Sequence, residues 1–157
     1  MSGCLKQNCF DPRSIFSMTA PQAPTLARWI FLLAGIYGLL VLLPQYLLEG
    51  QIGRDDPPAI THPEYFYGFA GVGVAWQVAF LVLARDPVRF RPFMIPAILE
   101  KATFAIAAVV LFAQGRIAGT ILGFGIIDGI LGLLFGLAYA MTPNGGFAQR
   151  ELASREH

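Results

Sequence analysis

The sequence predicts an all-α fold: an integral membrane four-helix bundle with both termini in the cytoplasm. Three observations carry that expectation. The chain has four apolar stretches of helical length between Trp29 and Met141, little charge, and a lopsided distribution of Lys and Arg among its loops. Only 13% of residues are charged against 55% hydrophobic, whereas soluble domains carry about 25% charge. With a mean hydropathy of +0.58, the chain lacks the polar surface to cover a water-soluble globule. A net charge of +1 with no clustered basic face excludes a nucleic-acid partner. The 157 residues suffice for one bundle and leave no room for a second domain.

A bilayer core of about 30 Å is crossed by roughly 20 helical residues. Runs of that length predict helices over Leu26–Leu48, Tyr65–Ala84, Phe93–Gln114 and Ile117–Met141, which together make a bundle over 26–141. The runs do not alternate, and they exceed the ~9–11 residues that a membrane strand needs. Pro44 and Pro96 fall near span ends, where a missing N–H is cheap because helix termini carry unpaired groups anyway. Trp29, Tyr46, Tyr65 and Tyr67 stand at span edges, the usual place of interfacial aromatics.

The basic residues set the orientation. Lys6, Arg13, Arg28, Arg85, Arg89, Arg91, Arg150 and Arg155 fall on one side, and only Arg54 and Arg116 on the other. The positive-inside rule therefore places both termini in the cytoplasm, and an even number of spans requires both on one side. Residues 1–25 form a predicted disordered cytoplasmic tail, and 142–157 a second one. The first tail has no apolar run and is not a signal peptide, so the first helix serves as an uncleaved insertion signal. Met18, followed by Thr-Ala-Pro, offers a second start for translation beside Met1. Cys4 and Cys9 have no ligating neighbour and would stay reduced in the cytoplasm, so no metal is expected there.

The connectors differ in character. Arg85–Pro92 is short, basic and bounded by proline, which makes it stiff. Gln114-Gly115-Arg116 is a tight turn, so the third and fourth helices must be antiparallel neighbours. Glu49–Pro63, with Asp55-Asp56-Pro57-Pro58, reads as an extracytoplasmic prolyl loop.

Inside the spans stand Gln77, Glu100, Lys101 and Asp128. Ionisable groups at the bilayer centre cost about 2.5–3.5 kcal/mol each on insertion scales, so they face a bundle interior or a polar cavity. Equal distances from a hairpin turn mean equal depth, because each helical residue rises about 1.5 Å. Asp128 is thirteen residues past Gly115, level with Ala102 and beside Lys101. Gln77 and Glu100 are both about twelve residues from the Val88–Arg89 turn. The four polar residues thus share one slab, which Tyr37 joins from the first helix. Lys101 and Asp128 are the expected ion pair. Glu100 is rotated about 100° from Lys101, so it is expected to face Gln77 and to have no cation of its own.

This layer has two readings. It fixes helix register, or it handles a ligand or a proton, and three ionisable groups exceed what one structural pair needs. Gly125, Gly129, Gly132 and Gly136 mark one face of the fourth helix, and Gly68, Gly71, Ala75 and Ala79 one face of the second. Such stripes let backbones approach closely. Helix packing is their first explanation, with a homo-oligomer or a membrane-complex partner docking on the Gly125–Gly136 face as the other.

The segments YFYGFAGVGVAWQVAFLVLARDP, RFRPFMIPAILEKATF and AQGRIAGTILGFGIIDGILGLLFG, over roughly Tyr65–Tyr139, carry a resemblance. With a DP-x-R-x-R-P connector and a P-x-x-x-E-K helix entry, the chain resembles the small DoxX-like four-helix membrane proteins of bacteria. The resemblance implies a multi-pass protein of the bacterial inner membrane and a link to quinone- or thiol-linked redox complexes. The spans themselves hold no cysteine and no haem-type His pair, so redox work would require a bound cofactor. Three functions follow. The first is a non-enzymatic accessory or small-ligand-binding protein without a cofactor, and the second a quinone- or lipid-binding subunit of a redox complex. The third is a small proton-coupled transporter, disfavoured because no internal repeat appears.

Overall fold

In the computed structural model, residues 25–55 and 59–144 are described. The expected N-terminal tail, Cys4 and Cys9, the alternative start at Met18, Asp56 to Pro58 and nearly all of the expected C-terminal tail lie outside them. The described residues form helices joined by short connectors, with no strand among them. The helices are α1 (Thr25–Leu42), α2 (Gln45–Asp55), α3 (Pro63–Arg85), α4 (Met94–Ala113) and α5 (Gly119–Met141). A 3₁₀ turn, Arg91–Phe93, leads into α4. α1, α3, α4 with its lead-in and α5 are long and apolar enough to cross a membrane. Leu33, Leu40 and Leu133 are among many large apolar side chains left exposed on their outer faces. That surface suits lipid and not water.

One boundary differs from expectation. The first apolar helix ends at Leu42, not Leu48, and Glu49 belongs to a helix, not to a loop. Pro44 is the cause. It has no N–H to continue the ladder, and it disfavours helical dihedrals at the residue before it. It then opens the next helix, where a missing donor is harmless, and Leu47 N–H donates to its carbonyl at 2.9 Å. None of the residues of α2 is buried. Tyr67 O–H donates to Glu49 at 2.8 Å and its ring lies 5.7 Å from that of Tyr46, which ties α2 to the start of α3.

The turn after α4 is built as its sequence implies. Gly115 has a φ of +68°, the left-handed region open to glycine. Arg116 N–H reaches Leu111 C=O and Gly115 N–H reaches Phe112 C=O, both at 2.9 Å. These are the two bonds of a Schellman cap, and they reverse the chain so that α5 runs back along α4.

The helices pack as two pairs, α1 on α3 and α4 on α5, which meet chiefly along α1 and α5; α3 and α4 touch little. Phe31, Phe80 and Phe135, all fully buried, join the pairs, with ring centroids 4.4 to 6.2 Å apart. Aromatic pairs of this kind add about 0.5–1.5 kcal/mol each beyond their burial. Ala27, Ala34, Ala84, Ala97 and Ala138 fill the core around them. At one end of the bundle Arg28 donates to Ala84 C=O and Arg91 to Tyr139 C=O, both at 3.3 Å. Arg91 also lies 3.9 Å above the Tyr139 ring and bonds Asn144. Each cation thus sits on the carbonyl end of a neighbouring helix, where the helix dipole favours it.

Candidate functional site

The polar layer centres on Lys101. It comes from α4, is 5% exposed, and its Nζ lies 3.2 Å from both carboxylate oxygens of Asp128 on α5. Gly132 makes the crossing feasible, since a side chain there would meet the Lys101 stem at 3.4 Å. The same Nζ lies 5.5 Å over the Phe80 ring, so the layer rests directly on the aromatic core.

Glu100 departs from expectation. Lys101 Nζ also lies 3.3–3.4 Å from its two oxygens, so one ammonium serves two carboxylates. The helical rotation between neighbours separates their Cβ atoms, but the four-carbon stem of Lys is flexible enough to bring the ammonium back. The bond to Glu100 is poor. It is long at Oε1, and the buried Oε2 receives no hydrogen bond.

Gln77 departs as well. It does not reach Glu100; it is 2% exposed, donates to Gly73 C=O at 3.2 Å, and leaves its own Oε1 without a donor. Its carboxamide fills a notch opposite Gly38 of α1, where an added Cβ would overlap it. The depth from the hairpin arithmetic agrees with the structure, because Gly73 and Trp76 line the same space as Glu100. The azimuth does not. α3 packs on α1, so its buried face of Ala70, Gln77, Phe80 and Leu83 turns there. Tyr37, half-buried on α1, lies within electrostatic reach of Asp128 and borders the layer from that side.

Because α3 and α4 touch little, a groove of about 310 Å³ remains between them. Phe69, Val72, Gly73 and Trp76 line it from α3, and Glu100, Thr103 and Phe104 from α4. Phe69 and Phe104 face each other with ring centroids 6.3 Å apart, and Trp76 stacks near Phe93 at 5.8 Å. Thr103 O–H donates to Glu100 C=O at 3.1 Å within its own helix, leaving its oxygen free to accept. Reading for polar residues alone missed these aromatics. Their spacing held a signal: 69, 72, 73, 76 and 100, 103, 104 each follow the i, i+3, i+4 rule of a single helix face.

The glycine stripe of α5 is mostly taken from within. Gly125 abuts Ala108, Gly129 faces Ala105 at 3.6 Å and Gly132 faces Lys101, while Gly136 meets nothing within 4 Å. The stripe seats α4, so only its last glycine is open to a second chain. On the other stripe, Gly68 is open and Gly71 faces the Tyr46 hydroxyl.

Chemically, the layer carries two carboxylates and one ammonium, a surplus of one negative charge when all are ionised. Only one of them, Glu100, opens to the groove; its side chain is 21% exposed. Among the described residues no group of three or more His, Cys, Asp or Glu converges on a metal position. Comparison with family models, curated proteins and solved structures returns no match. The functional assignment therefore rests on this geometry.

Proposed function

We propose that this protein is a DoxX-like, non-enzymatic binding protein of the bacterial inner membrane, which holds a small membrane-soluble ligand between α3 and α4. The observation that carries the reading is Glu100, an under-satisfied carboxyl at membrane depth on the wall of an aromatic groove. A structural pair needs Lys101 and Asp128 alone. Retaining a second acid at the cost that lipid imposes marks a functional group. Binding sites are typically apolar clefts with a few placed polar groups, and this groove has that character. The bias of Lys and Arg supports cytoplasmic termini, and so does the gathering of Arg28 and Arg91 at one end of the bundle. A reporter active only outside the cytoplasm should stay silent at His157 and respond when inserted near Asp56.

Mass spectrometry of molecules retained by gently purified protein tests the binding. The wild type should carry a small molecule that Val72→Trp, which fills the groove from an exposed position, no longer carries. Identical retained molecules in the two proteins would overturn the reading.

A further inference from the structure

We infer that the groove between α3 and α4 selects a lipophilic organic cation, held by the Glu100 carboxylate and the faces of Phe69, Trp76 and Phe104. This rests on the groove being a ligand site, and it adds the ligand's charge.

Three observations converge on a cation. First, two carboxylates share the single ammonium of Lys101, so with both ionised the layer carries one more negative charge than positive. Second, Lys101 Nζ lies 3.2 Å from both oxygens of Asp128 and 3.3–3.4 Å from those of Glu100, and of the two acids it is Glu100 that lines the groove. The terminal torsion of a Glu side chain is broad, so either oxygen can turn outward at little cost. Third, Phe69, Trp76 and Phe104 make up three of the other six lining residues, and ring faces attract cations within about 6 Å, more strongly where water is excluded. An ionised carboxylate accepts hydrogen bonds but cannot donate. It therefore complements a cation and offers nothing to the carbonyl oxygens of an oxidised quinone.

Depth narrows the class. Glu100 lies nine residues from Arg91 at the basic end of the bundle, a rise of about 13 Å in a core of about 30 Å. A phospholipid head stays at the interface and does not reach this level. Val72 and Phe69 are exposed to the outside of the bundle, so the groove opens sideways to lipid. The occupant must itself dissolve in the membrane while carrying positive charge.

Aryl probes of different charge test this. Full-length Trp29→Phe protein in discs of neutral lipid leaves Trp76, in the groove wall, as the only tryptophan. Its emission is titrated with tetraphenylphosphonium, tetraphenylborate and neutral triphenylphosphine oxide. The cation should saturate at a concentration at least tenfold below either of the others. Adding Glu100→Gln should raise that concentration at least tenfold, and Phe104→Leu by a smaller factor. If the oxide or the borate saturates as readily, or Glu100→Gln changes nothing, the cation inference falls while the groove remains a ligand site. If no probe moves Trp76, the groove reading falls with it. Should the Gln variant not fold, the three-probe series on the Trp29→Phe protein decides by itself.

Discussion

The seam between α1 and α3 and the seam between α3 and α4 flank the same helix at the same depth, yet one is closed and the other open. The closed seam holds Gln77 in a notch opposite Gly38, and Gly35 brings the α1 backbone close to Gln77 C=O. The open seam is lined by Phe69, Trp76 and Phe104 around a groove, and Gly73 at its border turns its missing Cβ toward Leu42 of α1. In each, one polar atom lacks a donor: Gln77 Oε1 in the closed seam and Glu100 Oε2 in the open one. The sealed amide is a packing element. The acid keeps Oε2 buried 3.3 Å from Lys101 Nζ, yet its side chain is 21% exposed and lines the groove. The same deficit thus means different things according to whether another molecule can reach it.

The largest effect expected is from removing the cation that both acids share. Lys101→Met strands Glu100 and Asp128 together, and losing one partner of a buried pair costs about 3–5 kcal/mol. Thermal unfolding in mild detergent should rank Lys101→Met well below Asp128→Leu, because the latter leaves Lys101 with Glu100. The double variant should recover only part of the loss, and adding Glu100→Gln should recover more. Full recovery in the double variant would show that Glu100 does not depend on Lys101.

Breaking the closed seam comes next. Gly38→Ala drives a methyl into the Gln77 carboxamide, an overpacking of the kind that costs about 1–3 kcal/mol. Gln77→Ala removes the colliding group, so the double variant should unfold at a higher temperature than Gly38→Ala alone. Additive losses would mean that the two residues are not in contact. The open seam should respond in the opposite way. Val72→Trp alters a 61% exposed position and should leave stability within about 0.5 kcal/mol while abolishing the small-molecule retention proposed for the groove. A large destabilisation there would mean that the groove is not a free space.

The smallest difference lies within the α5 stripe. Gly125→Ala should destabilise, since its Cβ would collide with Ala108, whereas Gly136→Ala meets nothing. In a helix interior Ala is favoured over Gly by about 0.5–1 kcal/mol, so the second variant should melt slightly higher. Equal effects would show that the stripe does not seat α4.

Much of this was legible along the chain. The spans, the antiparallel pairing of α4 with α5 and the Lys101–Asp128 contact follow from run lengths, a tight turn and residue counting. The missing pieces share a cause. Cβ direction alone points Glu100 away from Lys101, but it ignores how far a Lys stem can bend. Depth alone pairs Gln77 with Glu100, but it says nothing of the direction a side chain faces. The early end of α1 at Leu42 had its signal in Pro44, outweighed by the apolar run of Leu47 and Leu48 beyond it.

The sequence by itself determined depth, because a helix rises by a constant amount per residue and lipid demands a set length of apolar chain. It also determined which residues are too polar to face that lipid. Beyond the α4–α5 hairpin, only the tertiary structure decided which helices touch. The choice of α1 and not α4 as the partner of α3 depends on how small residues and large rings on every face fit at once. That choice turned Gln77 inward against Gly38 and left Glu100 beside an open aromatic groove.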